Sequence, residues 1–254
     1  MIDFASKYIF LLTTLTTLSL LAGCQSQDDE QSTSSKHSGA MVLAISWQAG
    51  FCETRPRLRE CKSQKSWRYD VTHFSLHGLW PQPRRNAYCG VSESEINKDK
   101  KRRWKRLEGL SISSQLKQDL IRIMPGTRSY LHRHEWVKHG TCYSKSAETY
   151  FADSLILMDA INGSKVQRLF ADNIGRRLSN NEIRKAFDDA FGQGVGDRVR
   201  VACKRDGNRT IITEITLGIK GTVTADVDIG KLALASPTTN AGCPAGIVDA
   251  VGLQ

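Results

Sequence analysis

Between His134 and Cys142 the chain reads His134-Glu135-Trp136-Val137-Lys138-His139-Gly140-Thr141-Cys142, which places two imidazoles, a carboxylate and an ammonium within six residues. Imidazole titrates near neutral pH and works in either protonation state, so two of them suit a reaction that needs one base and one acid. The ammonium suits stabilisation of a negatively charged intermediate. Read as a helix at about 100° per residue with His134 at zero, Lys138 falls near ~40°, Glu135 near ~100° and His139 near ~140°, one broad face. Trp136 and Val137 fall opposite, where they can anchor the helix to a core. Gly140 then suits a helix C-cap, with His139 in the last turn, where the dipole favours its protonated form. The plainer reading is a solvated helix face carrying a Glu135 to Lys138 pair at three-residue spacing.

What favours chemistry is upstream. Phe74-Ser75-Leu76-His77-Gly78-Leu79-Trp80-Pro81 reads as the end of an apolar strand running into a Gly and Pro turn, a place where a histidine can face a cleft. Alone, His77 would be a satisfied, half-buried core histidine. Yet of six histidines in the chain, three lie in these two short stretches.

Together, His77-Gly78-Leu79-Trp80-Pro81 and His134 to Cys142 resemble the paired active-site segments of the ribonuclease T2 family, secreted acid-base endoribonucleases. Ser46-Trp47-Gln48-Ala49-Gly50-Phe51-Cys52 resembles that family's first core strand. Ala171-Asp172-Asn173, Ile183 to Gly192 and Thr213-Glu214-Ile215 resemble its bacterial members, and the likeness covers residues 41 to 245. The resemblance implies cleavage of RNA by its own 2′-hydroxyl through a 2′,3′-cyclic phosphate, with no cofactor. It implies His139 as base and His77 as acid, Glu135 and Lys138 stabilising the pentacovalent phosphorane, and His134 holding phosphate. Trp80 either stacks on a base or fills the core, and Tyr88 is a second stacking candidate. Several relatives carry a carboxylate after the first segment that contacts a base; this chain has Gln82, which bears on base preference and not on catalysis.

Residues 1–23 read as a lipoprotein signal peptide. Tyr8 to Leu21 form an apolar run too short to span a bilayer comfortably, ending in the lipobox Leu21-Ala22-Gly23-Cys24. That motif implies cleavage before Cys24 and lipid attachment to its thiol. Gln25 rather than Asp follows, which in Gram-negative sorting favours the outer membrane. Residues 24–40, with no apolar side chain from 25 to 39, read as a flexible tether. Residues 41–254 then form one catalytic domain, expected to be exported, periplasmic and monomeric, anchored to a membrane by lipid and acting on RNA. Asp3 and Lys7 cancel, so the net charge of +10 is also that of the mature chain and suits a polyanionic partner, though equally an anionic membrane surface.

Seven cysteines less Cys24 leave six, an even number in an exported chain, hence three disulfides among about fifteen possible connectivities. The resemblance implies Cys89 with Cys142, Cys52 with Cys61, and Cys203 with Cys243. No Cys-x-x-Cys pair offers a zinc site.

For secondary structure, Met41 to Gln48 and Asp70 to Leu76 read as strands. Ser92 to Leu107, with Glu95 completing a capping box, Ser113 to Met124 before Pro125-Gly126, Tyr150 to Ile161 and Ser179 to Phe191 read as helices. The first carries the basic run Lys98, Lys100, Lys101, Arg102, Arg103, Lys105 and Arg106, a solvated face that could also guide RNA. Arg198 to Cys203 and Thr210 to Lys220 read as a hairpin across Asp206-Gly207-Asn208. Strands and helices are segregated, so the expected fold is α+β, a mainly antiparallel sheet packed with several α-helices, ribonuclease T2-like.

Two other functions compete. A zinc hydrolase could draw on His132, His134, Glu135 and His139, but the zincin pattern needs His-Glu-x-x-His and these histidines are five apart. A non-catalytic RNA-binding module suits the charge but leaves the acid-base set unexplained.

Overall fold

The computed structural model describes residues 37–253; the apolar run, the lipobox with Cys24 and most of the expected tether lie outside the described residues. Strand β1 (Ala40–Ser46) opens the fold and gives way to helix α1 (Gln48–Glu53), so the segment from Ser46 to Cys52 is not a continuous strand. Trp47 breaks it, wedged edge-on against Phe74 with ring centroids 5.6 Å apart and pinned by its Nε1 donating to the Asp249 carbonyl at 2.8 Å. Helix α2 (Arg59–Lys62) is tied back to α1 by the Cys52–Cys61 disulfide.

Strand β2 (Ser75–Pro81) starts later than the expected Asp70, where Tyr69–Val71 form a 3-10 turn, and runs through the whole first histidine segment. No turn intervenes at His77. After it come α3 (Glu93–Lys100), α4 (Ser114–Ile123), α5 (Leu131–Lys138), α6 (Ala147–Asn162) and α7 (Lys165–Asp172). Short β3 (Arg177–Ser179) leads into α8 (Asn180–Phe191), whose Ser179 and Glu182 form a complete capping box. At α3 only half a box forms. Ser92 accepts from the Glu95 amide, whereas the Glu95 carboxylate turns to Lys98 and the Glu108 amide. β4 (Val199–Asp206) and β5 (Arg209–Lys220) make the hairpin, and α9 (Ile229–Leu234) and β6 (Ala245–Ile247) close the chain. The fold is α+β. Its sheet runs β2-β1-β5-β6-β3 with β4 on β5, and every pairing is antiparallel except β5 with β6.

Two irregularities in this sheet matter. Ala44 faces Gly78 and Ile45 faces Leu76, so His77 is an extra residue with no partner on β1. A β-bulge of this kind re-aims the side chain it carries. Leu76 and Leu79 stay in the core at 3% and 0% exposure, while His77 and Trp80 are left half-buried at the surface of the sheet. Likewise, Ala202 faces Glu214 and Cys203 faces Ile212, which makes Thr213 the extra residue of β5.

Helix α6 holds β2 in place. Tyr150 Oη donates to the Leu79 carbonyl at 3.0 Å and accepts from its amide at 3.2 Å, and Asn162 brackets Phe74 through both backbone groups. Phe151, Leu157, Met158 and Ile161 of the same helix are fully buried. Each such side chain contributes about 1.5–3 kcal/mol, so the helix is a fixed platform under the strand.

Candidate active site

Helix α5 begins at Tyr130, held in the left-handed region at φ 64°, and delivers His134, Glu135 and Lys138. His139 is its last, capping residue. Gly140 is not a left-handed cap; it opens a single 3-10 turn, Gly140–Cys142. It is glycine because a Cβ there would press on the Trp136 ring and lie 2.9 Å from Tyr150 Cδ1.

At the centre stands the Glu135 carboxylate, 1% exposed. Its Oε2 accepts from Trp80 Nε1 at 2.8 Å, and its Oε1 lies 3.8 Å from both His77 Nε2 and His134 Nε2. That approach exists because residue 78 is glycine: a Cβ would collide with Glu135 Oε2 and come within 2.6 Å of Trp80 Nε1. Burial raises the pKa of Glu135 above the usual carboxylate range, with His77, His134, the Trp80 bond and Lys138 opposing.

Each of the two flanking histidines is braced from behind by a carboxylate. His77 Nδ1 meets Glu214 Oε2 at 2.5 Å, Glu214 coming from β5 on the far side of β1. His134 Nδ1 meets Asp99 Oδ1 at 2.7 Å, and its ring stacks on Trp104 with centroids 4.7 Å apart. Tyr88 joins the same acid, its hydroxyl donating to Asp99 Oδ2 at 2.8 Å, and its backbone N–H donates to the Lys138 carbonyl at 2.9 Å. The Cys89–Cys142 disulfide fastens that loop to the end of α5. A third disulfide joins Cys203 to Cys243.

The histidines differ electrically. For His77, burial pulls the pKa down, but the Glu214 hydrogen bond and the charges of Glu135 and Glu214 outweigh it and hold the pKa above its ordinary value. For His139, burial and then the neighbouring Lys138, His134 and His77 push it down to about 3, so the dipole of α5 does not keep it protonated. Its Nδ1 is buried without a hydrogen-bond partner. Trp80 stands between the two, its ring 5.2 Å from that of His77 and 5.6 Å from that of His139.

A cavity of about 700 Å³ is lined by His77, Tyr88, Asp99, Trp104, His134 and Lys138 among others, while Trp80, Glu135 and His139 lie behind its lining. His132 is not part of it. That residue faces a separate groove with Lys117 and Arg133, and burial lowers its pKa to about 4. The four donors of the zinc alternative are thus split between two places. Among the described residues no group of three or more His, Cys, Asp or Glu side chains is placed to hold a metal ion. Asp99 and Trp104 have no counterpart among the residues singled out by sequence, and Glu214 stands there only inside the family-like segment Thr213-Glu214-Ile215, with no role given to it. Asp99 sits as a lone acid in a basic run, and Glu214 lies far along the chain on another strand.

The ribonuclease T2 family model matches residues 38–229. Ribonuclease I of Escherichia coli (strain K12) is 31% identical over 210 residues, spanning 70% of this chain and 74% of that protein. The chain belongs to the ribonuclease T2 family. Ribonuclease 1 of Arabidopsis thaliana, 26% identical over 201 residues, spans 78% of this ribonuclease T2 chain and 82% of its own. Among solved structures, ribonuclease MC1 from the seeds of bitter gourd superposes with TM-score 0.52 at 17% identity, covering 82% of this chain and 99% of the other, which supports the ribonuclease T2 fold. RNase NT in complex with 5′-AMP gives TM-score 0.51 at 19% identity, covering 82% and 97%.

Proposed function

We propose that this protein is a metal-independent endoribonuclease that cleaves single-stranded RNA through a 2′,3′-cyclic phosphate to 3′-phosphate ends. One observation carries the reading: His77 and His139 are packed on the same Trp80 ring while their pKa values are driven apart, one up and one down. Groups separated in this way are suited to opposite halves of an acid-base pair. Neutral His139 takes the proton of the 2′-hydroxyl, whose oxygen attacks the adjacent phosphorus. Protonated His77 gives its proton to the departing 5′-oxygen. Each transfer is worth typically about 10²- to 10⁴-fold.

Lys138 supplies positive charge to the dianionic phosphorane, and Glu135, held by Trp80 Nε1 with its other oxygen 3.8 Å from both His77 and His134, assists in stabilising it. His134, fixed by Asp99 and Trp104, is poised to hold phosphate. Glu214 acts through His77, fixing its tautomer and favouring its charge. DNA binds but is not cut, because it lacks the nucleophile.

The test is cleavage of RNA in chelator, with cyclic phosphate ends as product. His77→Ala and His139→Ala should each lose at least about 10²-fold. A nitrophenolate leaving group departs without a proton, so it should rescue His77→Ala and not His139→Ala. Rescue of the His139 variant would reverse the assignment, and near-normal activity of both would remove the mechanism.

Three disulfides support an exported protein working in an oxidising compartment. We further propose residues 1–23 as a cleaved signal, a lipid on Cys24, a tether from there to the start of β1 and the rest of the chain as a monomeric catalytic domain held at a membrane facing the periplasm. Palmitate label present in the protein and absent from Cys24→Ala supports the anchor; equal label in both rules it out.

A further inference from the structure

The basic run after α3 does not continue as a helix face. Helix α3 stops at Lys100, Arg102 takes a left-handed conformation at φ 53°, and residues Trp104–Arg106 turn back in a single 3-10 turn. That turn is pinned to α5. Arg133 Nη1 donates to the Lys105 and Leu107 carbonyls at 3.1 and 2.7 Å, and Trp104 lies flat on His134. A second groove of about 440 Å³ opens there, lined by Arg59, Arg102, Arg103, Lys105, Arg106 and Ser129 among others. Arg102, Trp104 and Ser129 line both this groove and the cavity of the active site.

We propose that this groove is an auxiliary RNA-backbone site, holding phosphates of the strand beyond the one being cleaved. The inference rests on the ribonuclease reading above. Arg59, Arg102, Arg103, Lys105 and Arg106 are exposed, and none is ion-paired to an acid among the described residues. Five like charges brought together without counter-charges repel one another, a cost that a polyanion offsets. Four of the five are guanidinium groups, whose planar fork matches phosphate oxygens. Concavity and continuity with the catalytic cavity favour a strand threading from one to the other over a flat anionic membrane. The site therefore serves long RNA and leaves a dinucleotide, which fills only the cavity, unaffected.

The experiment compares the whole protein with its Arg59→Ala/Arg103→Ala/Lys105→Ala/Arg106→Ala variant, which leaves the residues of the catalytic cavity untouched. The probes are a dinucleotide substrate, a 12-nucleotide RNA and a non-cleavable 2′-O-methyl 12-mer read by fluorescence anisotropy. For the 12-mer, the slope of log affinity against log salt should become shallower by up to about 2.8, at roughly 0.7 for each phosphate of a single strand that the variant no longer neutralises. Its kcat/KM should fall at least about tenfold at low salt, while dinucleotide cleavage stays within about twofold of the parent. Unchanged slope and unchanged 12-mer cleavage overturn the inference while sparing the ribonuclease reading. So does loss of binding to anionic vesicles alone, which would assign the groove to a membrane. Absence of dinucleotide cleavage in the parent protein would instead sink the ribonuclease reading itself.

Discussion

Replacing Glu214 by Gln takes a negative charge from behind His77 and leaves an amide oxygen to accept the same bond. The bond is 2.5 Å long. A hydrogen bond to a charged group contributes about 1.5–3 kcal/mol and a neutral one about 0.5–1.5, so the change weakens the imidazolium form by roughly 1–1.5 kcal/mol. At about 1.36 kcal/mol per unit that is about one pKa unit. Exposure of 30% for His77 and 24% for Glu214 keeps the effect at the low end.

The sign follows from the role. His77 must be protonated to act as acid, and its pKa is held above the ordinary 6.5, so activity persists through neutral pH and is lost as pH rises through that pKa. In Glu214→Gln the falling limb of kcat/KM against pH should move about one unit towards acid. Rates above the limb drop about tenfold, and rates well below it change little. Stability obeys the same linkage: a raised histidine pKa stabilises the fold below its unfolded value and ceases to as pH rises through the folded one. The assay is initial-rate cleavage of a dinucleotide from pH 4 to pH 9, with a nitrophenolate substrate in parallel, for which the loss should shrink. A uniform drop at every pH with the limb unmoved would refute the argument, because it would leave Glu214 with a structural role only.

Other expectations can be checked with the same preparations. His139, at about 3, must be unprotonated to act as base, so the rising limb of the profile should lie below pH 5; a limb near pH 6.5 would show that the free enzyme does not hold this histidine in its uncharged form. Gly78→Ala forces Glu135 and Trp80 apart and should cost about 1–3 kcal/mol in thermal unfolding together with most of kcat; a variant of parental stability and rate would contradict the packing described. Asp99→Asn loosens His134 and should raise KM for RNA more than it lowers kcat. The opposite split would place His134 in the chemical step.

How much of the molecule is legible in its sequence differs by element. The α8 capping box and the β4–β5 hairpin carry strong local signals, and both form where those signals place them. The strand through His77 is misframed because Gly78 and Pro81 read as a turn, whereas Gly78 lies within β2, its missing Cβ making room for Glu135, and the expected start at Asp70 is a 3-10 turn. Trp47 reads as one more strand residue, yet its contacts with Phe74 and Asp249 are distant in sequence and turn the chain into α1. Helix periodicity puts His134, Glu135, Lys138 and His139 on one face, but it says nothing of their protonation. The helix dipole suggests a charged His139, whereas burial beside Lys138 and two histidines decides otherwise. The pairing of Asp99 with His134 and of Glu214 with His77 is beyond reach for a related reason. Each acts through tertiary proximity, across 35 and 137 residues of chain respectively.

The Cys89–Cys142 bridge closes a loop of separation 53 that contains Asp99, Trp104, His134, Glu135 and Lys138, with His139 three residues before its end. In the chain-entropy model such a loop contributes about 4 kcal/mol. A chain still reduced, as on leaving the ribosome, lacks this closure, and the loop bearing Tyr88 is free to part from α5. The expected consequence is a nuclease of low activity until this bridge forms. Protein purified under thiol should be inactive or nearly so until oxidised, and full activity with Cys89 and Cys142 alkylated in the reduced state would dismiss this dependence.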